Sequence, residues 1–149
     1  MDAQTKQLAA PLENLYEKAP ALPSNVKEII VTITPWISLI FGVLMVLSGV
    51  GGLGILTALS PFTAMYGGVG YSAFSILYAV VVIAQGVLMV LAFSPLKNRK
   101  LRGWNLLFWS EILAVVSSIV TVSVGSIIWA LVVAAIGFYF LFQIKSYYK

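Results

Sequence analysis

The stretch LKNRKLRGWNLLFWSEILAVVSS, residues 96–118, decides how this chain is read. It opens on four cations, Lys97, Arg99, Lys100 and Arg102, and passes at Trp104 into an apolar run whose one charge is Glu111. Beyond Glu111 the next charged residue is Lys145. The question is whether one carboxylate keeps such a segment out of a bilayer. A charge at the centre of a helix costs roughly 3 kcal/mol on insertion, and each Leu, Ile, Val or Phe returns about 0.3–0.6 kcal/mol. The ten such residues between Leu106 and Val122 offset that cost. Glu111 is also off-centre, about 10 Å from Trp104 at 1.5 Å per residue. The segment is therefore read as membrane-spanning.

Composition extends this reading to the whole chain. Of 149 residues, 60% are hydrophobic and 9% charged, and the mean hydropathy is +0.99. Soluble domains carry about 25% charged residues. So few charges cannot cover a water-facing surface, and the bilayer becomes the solvent. The net charge of +4 does not point to nucleic acid, because the basic residues flank apolar runs and do not line a soluble face. The chain has no Cys and no His. That excludes thiol redox chemistry, disulfides, Cys/His zinc sites and His-based acid–base catalysis. With one intramembrane carboxylate and no pairing of nucleophile and base, no enzyme, metal or other cofactor is expected.

Working outward, the expected fold class is all-α integral membrane: a four-helix antiparallel transmembrane bundle with a short amphipathic N-terminal segment. Residues 1–34 form a cytoplasmic or interfacial amphipathic leader. Residues 35–149 form the transmembrane domain, with spans at about 35–57, 71–93, 104–122 and 126–143, each near the ~20 residues that cross the hydrocarbon. In the leader, Leu8, Leu12, Leu15 and Tyr16 make a helical stripe that Pro20 and Pro23 end. Asn25 with Glu28 resembles an N-cap pair. The segment after it either lies along the membrane until Pro35 redirects the chain, or extends the first span into water. Residues 58–70 read as a loop, plain or re-entrant. Pro95 is expected to stop the second span, and SVGS, residues 123–126, to form a tight turn. No cleavable signal peptide is expected.

Four spans put the leader, the 97–103 connection and the last residues on one side, and all nine Lys and Arg fall there. The positive-inside rule then places both termini in the cytoplasm of an inner-membrane protein. Trp36, Trp104, Tyr147 and Tyr148 would mark the cytoplasmic interface; Tyr66, Tyr71 and Trp129 would mark the outer one.

Each span carries a small-residue stripe of the kind that lets helices approach in lipid. These are Ser38, Gly42, Gly49 and Gly52; Ser75, Ala79 and Gly86; Ser110, Ala114, Ser117, Ser118 and Thr121; and Ala130, Ala134 and Gly137. The last two spans, with the shortest connection, are expected to pair most tightly. GVLMVL occurs at 42–47 and again at 86–91, which we read as coincidence within a low-diversity alphabet. GVGGLG at 49–54 lacks a preceding strand and a following Lys-Ser/Thr, so it reads as helix packing and not as a phosphate loop.

Glu111 lies at the edge of its stripe and should face protein. Counting helical rises brings Gln85 and Tyr139 to a similar depth, as candidate hydrogen-bond partners in an intramembrane polar site. Four spans with one embedded Glu resemble the small multidrug-resistance transporters in architecture. In that family the Glu lies in the first helix; here it lies in the third, so no residue role is carried over. The function expected from sequence is a small non-enzymatic inner-membrane protein, structural or accessory. The alternative is a small proton- or cation-coupled transporter using Glu111. Expected partners are anionic lipid head groups at Lys97, Arg99, Lys100 and Arg102, and a second copy or a larger membrane complex. No nucleic acid is expected.

Overall fold

The computed structural model describes residues 3–16, 18–62, 68–120 and 124–149. It is 90% helical, with no strand among the described residues, so no open sheet edge would face lipid. Five α-helices follow in order: α1 (Ala3–Tyr16), α2 (Ser24–Ala58), α3 (Gly68–Lys97), α4 (Leu101–Val120) and α5 (Val124–Ile144), with a 3-10 turn at Lys145–Tyr147. Three helices are long and apolar enough to cross a membrane: Ser24–Ala58, Ala73–Lys97 and Ile127–Tyr147. The 20-residue α4, which holds Arg102, Asn105 and Glu111, is not among them.

Two prolines do not break their helices where the sequence predicts a change of direction. α2 runs unbroken through Pro35, so residues 24–34 extend the first long helix. Thr32 Oγ1 and Thr34 Oγ1 donate to the carbonyls of Glu28 and Ile30 at 2.8 and 2.6 Å. These bonds go to carbonyls in the turn before Pro35 and not to the Val31 carbonyl, which is the one that loses its i−4 donor at the proline. α3 likewise passes through Pro95 to Lys97, where few ladder bonds remain to lose. The connection to α4 is therefore only residues 98–100. The N-cap of α2 is Pro23 and makes no side-chain cap bond. Glu28 reaches Arg99 instead. The expected loop at 58–70 is narrowed by helix at both ends, and its residues 63–67 lie outside the described residues. Of the expected 123–126 turn, Val124 to Ser126 belong to α5, and 121–123 lie outside them.

From α2 to α5 each helix packs antiparallel to the next. The most extensive contact is α2 with α3, followed by α3 with α4, whereas α4 with α5 is lighter. This corrects the expectation that the shortest connection makes the tightest pair. The reason is glycine. A Cβ on Gly42 would lie 2.8 Å from the Gly86 carbonyl and 2.9 Å from Val90 N, and one on Gly86 would lie 2.7 Å from the Gly42 carbonyl and 2.9 Å from Val46 N. Gly42 and Gly86 open the two GVLMVL copies, as Val46 and Val90 are their equivalent fifth residues. The repeat read as coincidence is thus the α2–α3 contact, with each copy facing the other about a local two-fold.

The core lies at the end of the molecule that holds residues 98–100. Trp104 and Phe108 of α4 are fully buried with Leu96 of α3 and Ile144 of α5. The Trp104 and Phe108 rings stack at 5.4 Å, and Trp104 Nε1 donates to the Leu141 carbonyl at 2.7 Å. Trp104 is therefore a core residue and not an anchor at the lipid interface. Leader helix α1 packs on this core through Thr5, Ala9, Leu12 and Tyr16. That face differs from the expected one, since Leu8 and Leu15 are exposed.

A cavity at Glu111

Four helices build the walls around Glu111, α3 contributing Met89. On α4, Leu107, Ser110 and Glu111 share one side at i, i+3 and i+4 spacing. α5 brings Gly137 and Phe140, and α2 brings Ile33 and Ser38; together they line a cavity of about 440 Å³. Its surface is almost wholly apolar. The polar groups are the Glu111 carboxyl and the hydroxyls of Thr34, Ser38 and Ser110. Two of these are already engaged: Ser38 Oγ donates to the Met89 carbonyl and Thr34 Oγ1 to the Ile30 carbonyl, both at 2.6 Å. α2 and α5 touch only lightly, and Ile33 and Ile37 of α2 and Phe140 of α5 are exposed. The cavity therefore opens sideways between α2 and α5, toward the surface that carries the apolar residues.

Glu111 is half-buried. A Cβ on Gly137 would lie 2.5 Å from its Oε1 and 2.9 Å from its carboxyl carbon. Only a glycine at 137 leaves the carboxyl its present place. The leader comes close as well. Tyr16 donates to the Ala135 carbonyl at 3.0 Å. Burial raises the Tyr16 phenol above its ordinary pKa, and the neighbouring Glu111 carboxylate adds to the rise.

The two predicted partners of Glu111 direct their bonds elsewhere. Gln85, buried, donates from Nε2 to Ser117 Oγ at 3.3 Å. The Tyr139 hydroxyl donates to the Pro20 carbonyl at 2.7 Å, tying the leader to α5. Among the described residues no hydrogen bond or ion pair joins Glu111 to either, or to any other side chain. Counting rises gave depth but not rotation about the helix axis, and rotation decides partners. The cavity's α2 side was missed. Its signal is the apolar spacing of Ile29, Ile30 and Ile33 in the segment for which the sequence left open a membrane-surface helix or an extension of the first span. Among the described residues there is also no cluster of acidic side chains able to hold a metal ion.

The basic loop residues separate into two kinds. Lys97 Nζ sits 5.7 Å from the Trp36 ring centroid, and Arg99 is 3.6 Å from Glu28. Lys100 and Arg102 are exposed. Lys145, at the same end, pairs with Glu13 of the leader at 2.5 Å and lies 5.4 Å from the Trp104 ring centroid. No family model, curated protein or solved structure matches the chain, so the site is read from its own geometry.

Proposed function

We propose that this chain is a small non-enzymatic inner-membrane protein crossing the bilayer four times, with both termini cytoplasmic. Its working site is the cavity at Glu111, and its activity is proton- or cation-coupled transport of a small, largely apolar solute. One observation carries this reading: a carboxyl without a partner among the described residues lines a sideways-opening apolar cavity of about 440 Å³. A carboxyl that merely glued helices together would be closed in by hydrogen-bond partners, because an unmatched buried polar group costs free energy. An unmatched one facing a cavity is available to a proton or to a cationic group of a ligand. The fourth crossing is α4, whose apolar half offsets Glu111. The second reading, a structural or accessory protein, draws on the dense aromatic core around Trp104 and Phe108.

The test uses liposomes that hold the purified protein and an internal pH dye, under an imposed potassium diffusion potential. Wild type should admit protons faster than empty liposomes. Glu111→Gln, which keeps shape but cannot ionise, should lose that excess while keeping its helical signal and its thermal midpoint. Equal proton entry in wild type and Glu111→Gln would return the protein to the accessory reading.

A further inference from the structure

At the end of the molecule that holds residues 98–100, two segments distant in sequence are bound together. Lys149 N donates to the Arg99 carbonyl at 2.9 Å, and Leu101 N donates to the Lys149 carbonyl at 2.8 Å. The loop under this latch is itself fixed. Asn98 N, Arg99 N and Lys100 N donate back to the carbonyls of Ser94, Leu96 and Pro95 at 3.1, 2.9 and 2.8 Å. Arg99 holds φ at 52°, in the left-handed region that a side chain rarely adopts. Between the loop and residues 146–149 lies a cavity of about 480 Å³, lined by Asn98, Arg99, Lys100, Ser146, Tyr147 and Lys149.

We propose that this cavity is a binding site for a phosphate group. Three of its six lining residues are cationic and none has an acidic side chain. The guanidinium supplies a planar fork of N–H donors that matches phosphate oxygens, and the ammoniums add charge. Ser146, Tyr147 and Asn98 add hydroxyl and amide donors. The nearest acidic side chain among the described residues is Glu28, 3.6 Å from Arg99 with both side chains half exposed or more. A pair this open is weak and exchanges readily. A loop that served only to set topology would need its positive charges but no particular arrangement of them. Here a backbone latch brings Lys149 and Ser146 onto Arg99, which concentrates like charge where an anion relieves it. The site lies where the long helices end, so the phosphate can belong to a lipid head group or to a soluble phosphate compound.

The test compares full-length protein with Lys100→Gln/Lys149→Gln. The control is Lys6→Gln/Lys18→Gln, which removes equal charge from the leader. Binding is measured in detergent by native mass spectrometry with phosphatidylglycerol against phosphatidylcholine, and by thermal shift with 10 mM inorganic phosphate. Wild type and the control should retain phosphatidylglycerol in preference to phosphatidylcholine. Lys100→Gln/Lys149→Gln should bind it at least tenfold more weakly, and each single variant at least threefold more weakly. If inorganic phosphate also stabilises wild type and displaces the lipid, the site takes free phosphate. If it does neither while the lipid is retained, the head group is the ligand. The proposal is overturned if both double variants lose lipid equally, or if Lys100→Gln/Lys149→Gln retains it as wild type does.

Discussion

A Cβ built on Gly137 would lie 2.5 Å from Glu111 Oε1, and it would meet the far end of a flexible side chain. Gly137→Ala should therefore cost less than about 1 kcal/mol in thermal unfolding yet displace the carboxyl. If Glu111 carries protons, the variant should lose the liposome activity while keeping its fold; unchanged proton entry would show that the carboxyl's position is unimportant. Tyr148 makes a second case at this scale. It is 4% exposed, and among the described residues its hydroxyl has no hydrogen-bond partner. Burial pushes its phenol up to about 12, with Arg99 pulling the other way. An unfolded Tyr releases its proton near pH 10. The folded state thus holds the proton more tightly, and stability falls as pH rises from about 10 to about 12. The loss is roughly 2–3 kcal/mol at about 1.4 kcal/mol per pH unit. Tyr148→Phe should remove this part of the alkaline loss, and should leave the neutral-pH midpoint equal or higher, because no bond is broken. A lower midpoint at neutral pH would mean that the hydroxyl is bonded after all.

The pairing of α2 with α3 makes a prediction at the scale of the element. Gly42 and Gly86 each place a helix backbone within 3 Å of where a Cβ would stand, so neither can gain a side chain unless the helices part. Gly42→Leu and Gly86→Leu should each destabilise the protein by about 1–3 kcal/mol through overpacking. Gly52, assigned to the same stripe from sequence, has nothing within 4 Å. Gly52→Leu should be close to neutral. Thermal unfolding in detergent separates the three, and equal midpoints for all of them would count against the contact. The stripe could be read because small residues recur at helical spacing. Its end could not, because a period does not say where two helices diverge. The same limit applies to Leu8 and Leu15, which keep helical spacing on the exposed side of α1.

For the molecule as a whole, the leader, the 98–100 loop and the final residues meet at one end. Glu28 pairs with Arg99 and Glu13 with Lys145, and Lys149 is latched to the loop. If the positive-inside reading holds, that end faces the cytoplasm. With no native Cys in the chain, single cysteines at Thr63, outside the described residues, and at Asn98 report directly. An impermeant thiol reagent added to intact cells should label position 63 and not position 98. Labelling at 98 would reverse or break the four-span topology.

The sequence by itself determined that the chain is helical and carries helices long and apolar enough to cross a membrane. Charge is too sparse for a water-facing surface, and apolar runs of bilayer length recur between clusters of Lys and Arg. Both are additive properties that survive any arrangement of the helices. It also marked Glu111, because one carboxylate in an apolar run stands out wherever the run is placed. Only the tertiary structure decided what Glu111 meets. Gln85 turns to Ser117 and Tyr139 to Pro20, while α2 isoleucines, far away in the chain, line the space beside the carboxyl. Which residues share a cavity depends on the rotation and separation of several helices at once. Those are settled by backbone contacts such as Gly42 with Gly86, and no spacing along one chain records them.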